Sequence, residues 1–222
     1  MTDMRRVVEA LQAAQPDPLI RLRQGVIQAV AANGTATVRV GGSTVDIAGV
    51  KVSAGACPVP GATCWLLTDG RDWLVLATLA PTGPAWGTMR QSSAQPIGNG
   101  NFTAMSWANR SDVVTHGVTA TSNGLQVKVP GLYSVTATPT FSINATGVRH
   151  SQITVNGAEA AQGASVAALS NQIARLNCAA ILKLAINDVV NVALYQNCGS
   201  NLNTTTGGGT GTLTVAWLGP SA

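Results

Sequence analysis

The spacing of apolar positions changes once along the chain. Met4, Val7, Val8 and Leu11 recur at helical intervals, and Thr2 or Asp3 stands where a side-chain oxygen caps free backbone N–H groups. Pro16 and Pro18 end that pattern, since a proline ring gives no N–H and clashes with the preceding turn. The spacing predicts a helix over 3–15, within an N-terminal unit of 1–18. Its apolar stripe needs a partner, either the chain's own domain or a neighbouring subunit. From Leu19 the period becomes two, with Ile20, Leu22, Val26 and Val30 on one side. Asn33–Gly34, a pair that reaches left-handed angles cheaply, marks a hairpin into Ala36–Val40. Gly41–Gly42 turns into Thr44–Val50. After Pro58, Pro60 and Gly61, the strands Cys64–Leu67 and Trp73–Leu79 flank an Asp69–Gly70 turn. Five short strands over residues 19–80 predict a small β-barrel.

Pro81, Gly83 and Pro84 set the clearest boundary and predict a linker over 81–90. Residues 91–222 then run through many short strands. Their turns are marked by Asn123–Gly124, Pro130–Gly131, Asn156–Gly157 and the glycine-rich Thr206–Gly211. This is the arithmetic of a β-sandwich of jelly-roll type. The predicted fold class is therefore mainly β: an N-terminal helix plus a small OB-like β-barrel, then a jelly roll. The stretches Gln172–Leu184 and Val189–Gln196 read as a hairpin turning at Asn187–Asp188. Within them Ile173–Leu184 and Val189–Tyr195 are apolar on both faces, which predicts cover from beyond one sandwich core or a buried place in one thick domain. That register sets Cys178 against Asn197 or Cys198. Either a cross-strand Cys178–Cys198 disulfide or two buried free thiols fits the spacing.

Composition narrows the function classes. Only 10% of the 222 residues are charged, and 45% are hydrophobic. A low-charge surface suits a subunit packed in an assembly, and a GC-rich coding bias gives the same diet of Ala, Gly, Val and Thr. The net charge of +4 is not gathered into a Lys/Arg stripe, which argues against a nucleic-acid partner. No apolar run reaches the length of a membrane span, and the start lacks the apolar core of a signal peptide. Trp65 and Trp73 sit in apolar strand contexts and are expected in the barrel core.

Two stretches carry resemblances. Residues 19–80, with their Pro58–Cys64 turn and Asp69–Gly70 turn, resemble the small OB-like barrels of bacteriophage tail and baseplate proteins. Further on, Gln95–Trp107 precedes Pro130-Gly-Leu-Tyr133, then Arg149…Ile153-Thr-Val-Asn-Gly157, then Asn187-Asp-Val-Val-Asn-Val192 and Gly211–Val215. Their order resembles the complement-head and tumour-necrosis-factor-like jelly rolls, in the versions found in phage tail and fibre proteins. Asn187 stands where that family usually has Gly, and no acidic cluster matches its calcium sites, so no metal and no cofactor are expected. The resemblance implies a homotrimer with one sheet of each copy facing the axis. The core and trimer candidates are Tyr133, Val135, Phe141, Ile181, Leu184, Val190, Val192, Tyr195 and Trp217. The polar apical loops put forward Asn144, Thr146, Arg149, Asn201 and Asn203 as groups that could meet a host-surface glycan.

Catalysis finds little support. His116 and His150 lie in no known motif and read as turn or surface residues. Beyond residue 85 the acids are Asp112, Glu159 and Asp188, scattered at turns rather than paired across a substrate bond. Thr206–Gly211 lacks the Gly-Lys-Ser/Thr of a phosphate loop. The sequence-based expectation is a non-enzymatic virion protein of a tailed phage, a minor tail or baseplate component made in the host cytoplasm. Its N-terminal part would dock on other virion proteins and its jelly roll would meet the host surface. A capsid decoration or head-fibre protein is the alternative.

Overall fold

Alternation with period two puts successive side chains on opposite faces of a strand, and this rule builds the whole of the visible fold. The computed structural model describes residues 20–53, 56, 58–78, 84–168, 170–206 and 210–220. Among them every regular element is a strand. The fold class is thus all-β there, which corrects the reading of a mainly β chain with an N-terminal helix. The segment 3–15 assigned to that helix lies outside the described residues.

Five strands make the first unit: β1 (Arg21–Val30), β2 (Ala36–Val40), β3 (Asp46–Val52), β4 (Thr63–Thr68) and β5 (Trp73–Thr78). They close into a barrel in the order β1-β2-β3-β5-β4, with β4 returning to β1 and β3 meeting β5 in parallel. Ile27, Val30, Val38, Val50, Cys64, Leu66 and Val75 fill it. The β1–β2 connection turns at Gly34, whose φ of +80° is costly for other residues. Trp65 and Trp73 are half-buried, and Trp73 packs on the barrel core.

The second unit begins at β6 (Trp86–Gln91), inside the segment expected as a linker. It continues through β7 (Pro96–Ile97), β8 (Thr103–Ala104), β9 (Arg110–His116), β10 (Val118–Thr121), β11 (Gly124–Val127) and β12 (Gly131–Ala137). Next come β13 (Thr140–Phe141), β14 (Val148–Val155), β15 (Ala158–Ala167), β16 (Ala174–Arg175) and β17 (Cys178–Leu184). It ends with β18 (Val189–Gln196), β19 (Leu202–Asn203) and β20 (Thr212–Gly219). One antiparallel sheet has the order β10-β11-β18-β14-β15, with β8 also on β18. The other has the order β17-β12-β20-β6-β9. The chain crosses between them at β9–β10, β11–β12, β12–β14, β15–β17, β17–β18 and β18–β20, which is jelly-roll connectivity. Met89, Tyr133, Val135, Leu213 and Val215 of one sheet meet Leu125, Ile153, Val190, Val192 and Leu194 of the other in a single core.

The Asn187–Asp188 turn is not a hairpin. β17 pairs with β12, whereas β18 pairs with β14 and β11, so the turn carries the chain from one sheet to the other. Asn187 takes the left-handed angle expected of it, with φ of +71°. Asp188 holds the crossing: its Oδ2 accepts from the Ala185 N–H at 2.7 Å and its Oδ1 from Asn156 Nδ2 at 2.8 Å. With the strands in different sheets, the Cys178–Cys198 register disappears. Cys178 and Cys198 are free thiols, and Cys178 Sγ donates to Ser151 Oγ at 2.8 Å. Gly131 explains the Pro-Gly-Leu-Tyr motif. A Cβ there would fall 2.3 Å from Trp217 Nε1 and 2.5 Å from the Gly219 carbonyl oxygen.

Candidate assembly face and binding trough

The outward residues of the two sheets differ, and strand register defines both sets. On the β17-β12-β20-β6-β9 sheet one row runs Ile181, Ser134, Ala216, Trp86, His116. The next runs Ala179, Thr136, Thr214, Thr88, Val114. Neither row carries a fixed charge. Thr88 and Thr214 share a hydroxyl hydrogen bond of 2.9 Å. Charge stays toward the margins, on Lys183 and on an Arg90–Asp112 pair at 3.1 Å. Ile181 is 68% exposed. Trp86, Val114, Leu132 and Leu218 are also exposed.

On the other sheet, Ile153, Val190, Val192 and Leu194 point into the core, so alternation turns Gln152, Thr154, Asn191 and Ala193 outward. Yet each of these four is less than a tenth exposed. They lie at the floor of a trough of about 580 Å³, a size that suits a small ligand. Ala104 and Ala193, directly opposite each other, leave the depression. Phe102 walls one end, 46% exposed, with its ring 5.4 Å from both His150 and Tyr195. Asn123, Asn156 and Gly157 wall the other. The hairpin at Asn156–Gly157 has both residues at positive φ, 53° and 83°, the signature of a type I′ turn. Asn191 is fully used: its Oδ1 accepts from Trp107 Nε1 at 2.7 Å and its Nδ2 donates to the Met105 carbonyl at 3.0 Å.

The expected site residues divide. Tyr133, Val135, Phe141, Leu184, Val190 and Val192 are buried in the sandwich core, and Tyr195 and Trp217 are half-buried. Ile181 alone of that set stands out in solvent. The double-sided burial expected for both strands holds for β18 and fails for β17, whose outward side chains are bare. Of the loop residues, Thr146, Asn201 and Asn203 are exposed and Asn144 is half-buried. Arg149 is 1% exposed and is no loop contact. Its guanidinium donates to the carbonyls of Thr146 and Val148 and to the carbonyl and Oδ1 of Asn144, and sits 5.8 Å from the Phe141 ring centroid. It pins the 142–148 loop from within. Burial pushes its pKa down from the ordinary arginine value.

His116 and His150 are half-buried rather than at the surface, each with a buried Nε2 that has no partner. Asp112 faces Arg90, Glu159 accepts from Gln162, and Asp188 is spent on its turn. Burial raises the Cys178 thiol pKa, and the Cys64 thiol likewise. No group of three or more His, Cys, Asp or Glu side chains able to hold a metal occurs among the described residues. Sequence reasoning overlooked Phe102, Gln152 and Asn191. The alternation of His150, Gln152 and Thr154 against Ser151, Ile153 and Val155 was the readable signal for an outward row.

No protein-family model matches the chain, and no curated protein matches it. Several solved structures are similar to it. Murine APRIL aligns at 14% identity and TM-score 0.46, over 60% of this chain and 99% of that one. The PRD1 vertex protein P5 aligns at 18% identity and TM-score 0.45, over 62% of this chain and 99% of that one. The globular domain of the zebrafish complement 1qA protein aligns at 8% identity and TM-score 0.45, over 63% and 100%. The jelly-roll assignment rests on this chain's own strand pairings.

Proposed function

We propose that this chain is a non-enzymatic structural subunit of a tailed-phage particle, a minor tail or baseplate component whose jelly roll forms a homotrimer. The barrel docks the subunit on other virion proteins and the jelly roll meets the host surface. One observation supports assembly above all others: the bare, flat, uncharged face of the β17-β12-β20-β6-β9 sheet. Water gains nothing from Ile181, Trp86 and Val114 exposed on one face, and burying such surface is worth about 25 cal/mol per Å². The middle rows hold no charge to desolvate, so a second copy can cover them at little polar cost. The landmark order from Pro130-Gly131 to Asn187–Asp188 supports the phage reading.

The test is location and adsorption together. Gold-labelled antibody against the full chain should decorate the tail or baseplate of the intact particle, and the purified chain should bind host cells. Labelling of the capsid alone, with no host binding, would replace this reading by a shell-decoration role.

A further inference from the structure

Buried polar atoms without partners are uncommon and point to something missing, such as a water or a ligand. Four such side-chain atoms occur among the described residues: Gln91 Oε1, His116 Nε2, His150 Nε2 and Gln152 Oε1. Two of the four gather at one place. Gln152 is in the floor of the trough, and His150 stands edge-on against Phe102, which forms its wall. Gln152 is 8% exposed, and its buried Oε1 has no hydrogen-bond partner among the described residues. Its Oε1 is shut from solvent as it stands. The last torsion of a glutamine is soft, so a modest rotation presents that oxygen to the trough.

The chemistry of the lining selects a ligand class. None of its twelve lining residues is charged at neutral pH. It offers carboxamides from Asn123, Gln152 and Asn156, hydroxyls from Ser106 and Thr154, and the ring of Phe102. Asn156 is already engaged with Asp188 and Val189, and Gln152 brings the one lining oxygen that is both buried and unpartnered among the described residues. An aromatic face is electron-rich and attracts the polarised C–H groups of a sugar ring. Amides and hydroxyls are both donors and acceptors, which matches hydroxyls around a sugar's rim. A charged ligand would find no counter-charge here.

We propose that this trough is a binding site for a neutral saccharide, with Phe102 as its stacking platform and Gln152 as the buried group that selects a hydroxyl. The site deepens the host-contact reading, and its biological sense rests on that reading. It replaces the apical loops as the place where sugar is held.

The experiment uses the full chain and four probes: maltohexaose, galactohexaose, hexa-N-acetylchitohexaose and, as the charged comparison, hexagalacturonate. Binding is followed by saturation-transfer NMR and calorimetry. At least one neutral hexamer should bind, and hexagalacturonate should not. Phe102→Ala should weaken that binding about tenfold or more, since a stacking aromatic carries much of such a contact. Gln152→Met keeps the shape and removes the amide. It should weaken binding by about tenfold while leaving thermal stability equal or raised, because an unpartnered buried amide is lost. No binding of any neutral hexamer, binding unchanged in both variants, or equal binding of hexagalacturonate would each overturn the site. If host adsorption persists while no neutral hexamer binds, the trough fails and the host-contact reading stands. If a neutral hexamer binds through Phe102 and Gln152 but the chain ignores host cells, the trough stands and the host-contact reading fails.

Discussion

The two sheets of the jelly roll share one core and present opposite kinds of outer surface. The β17-β12-β20-β6-β9 face is flat, bare and uncharged across its middle rows, with Ile181 the most exposed large apolar side chain in them. The β10-β11-β18-β14-β15 face is concave, polar and sunk, so that outward Gln152 and Thr154 are almost hidden. Strand alternation is the same in both. What differs is the side chain at each outward register position. Threonine, serine and alanine across from one another make a plane that a second protein surface can cover. Paired alanines beside a phenylalanine make a hole that a small molecule can enter. On the proposed reading, one fold separates assembly from recognition by sheet.

The sharpest way to break this contrast is to charge the flat face. Ile181→Lys with Ala216→Lys puts two ammonium groups into the proposed contact. Burying unpaired charge costs about 3–5 kcal/mol, roughly a thousandfold in association. Light scattering should show single chains with an unchanged circular dichroism spectrum. Next in size is the support beneath the trough. Asn191→Leu strips the acceptor from Trp107 Nε1 and the donor from the Met105 carbonyl, both buried. Two unsatisfied groups cost about 2–5 kcal/mol, read as a lower midpoint in urea. Arg149→Met unpins the 142–148 loop and loses about 1.5–3 kcal/mol by the same measurement, since its bonds are charge-assisted.

Smaller effects test the frame around the two faces. In the barrel, Asp69 Oδ1 accepts from the Asp72 N–H at 2.7 Å and the Arg71 N–H at 2.8 Å. These bonds, Asp72's first, hold its carboxyl below the usual carboxylate range. A lowered folded pKa contributes stability that is present above the unfolded value and lost as pH falls through the folded one. The barrel should therefore soften as pH drops through and below the ordinary aspartate range. Asp69→Asn, which keeps an acceptor oxygen but does not titrate there, should remove that part of the pH dependence. Last, native thiol labelling should modify the half-buried Cys198 and spare Cys64 and Cys178 until the chain unfolds, because burial keeps the latter two protonated.

Much of the fold was legible because period and turn chemistry are local. Asn33–Gly34, Asp69–Gly70 and Asn156–Gly157 announce their turns, and Tyr133, Val135 and Ala137 announce an inward face. What failed depends on distance. Nothing local tells a hairpin at Asn187–Asp188 from a crossing between sheets, so of the two states open to Cys178 and Cys198 the paired one went with that hairpin and the free thiols remain. Trp86–Gln91 looked like linker because Pro84 precedes it, yet its strand is fixed by β20 and β9, far along the chain. Arg149 read as a loop cation because an arginine beside a turn usually is one; only the carbonyls of Asn144, Thr146 and Val148 make it a buried staple. The trough was least legible, since Phe102, Gln152 and Ala193 come from three separate strands or loops.

The central claim is that the flat face is where copies of this chain meet. Sedimentation equilibrium of the full chain, beside the Ile181→Lys/Ala216→Lys variant, addresses it directly. The account predicts a species of three chain masses for the native protein and one chain mass for the variant. A native protein that stays monomeric at all concentrations, or a variant that stays trimeric, would contradict it.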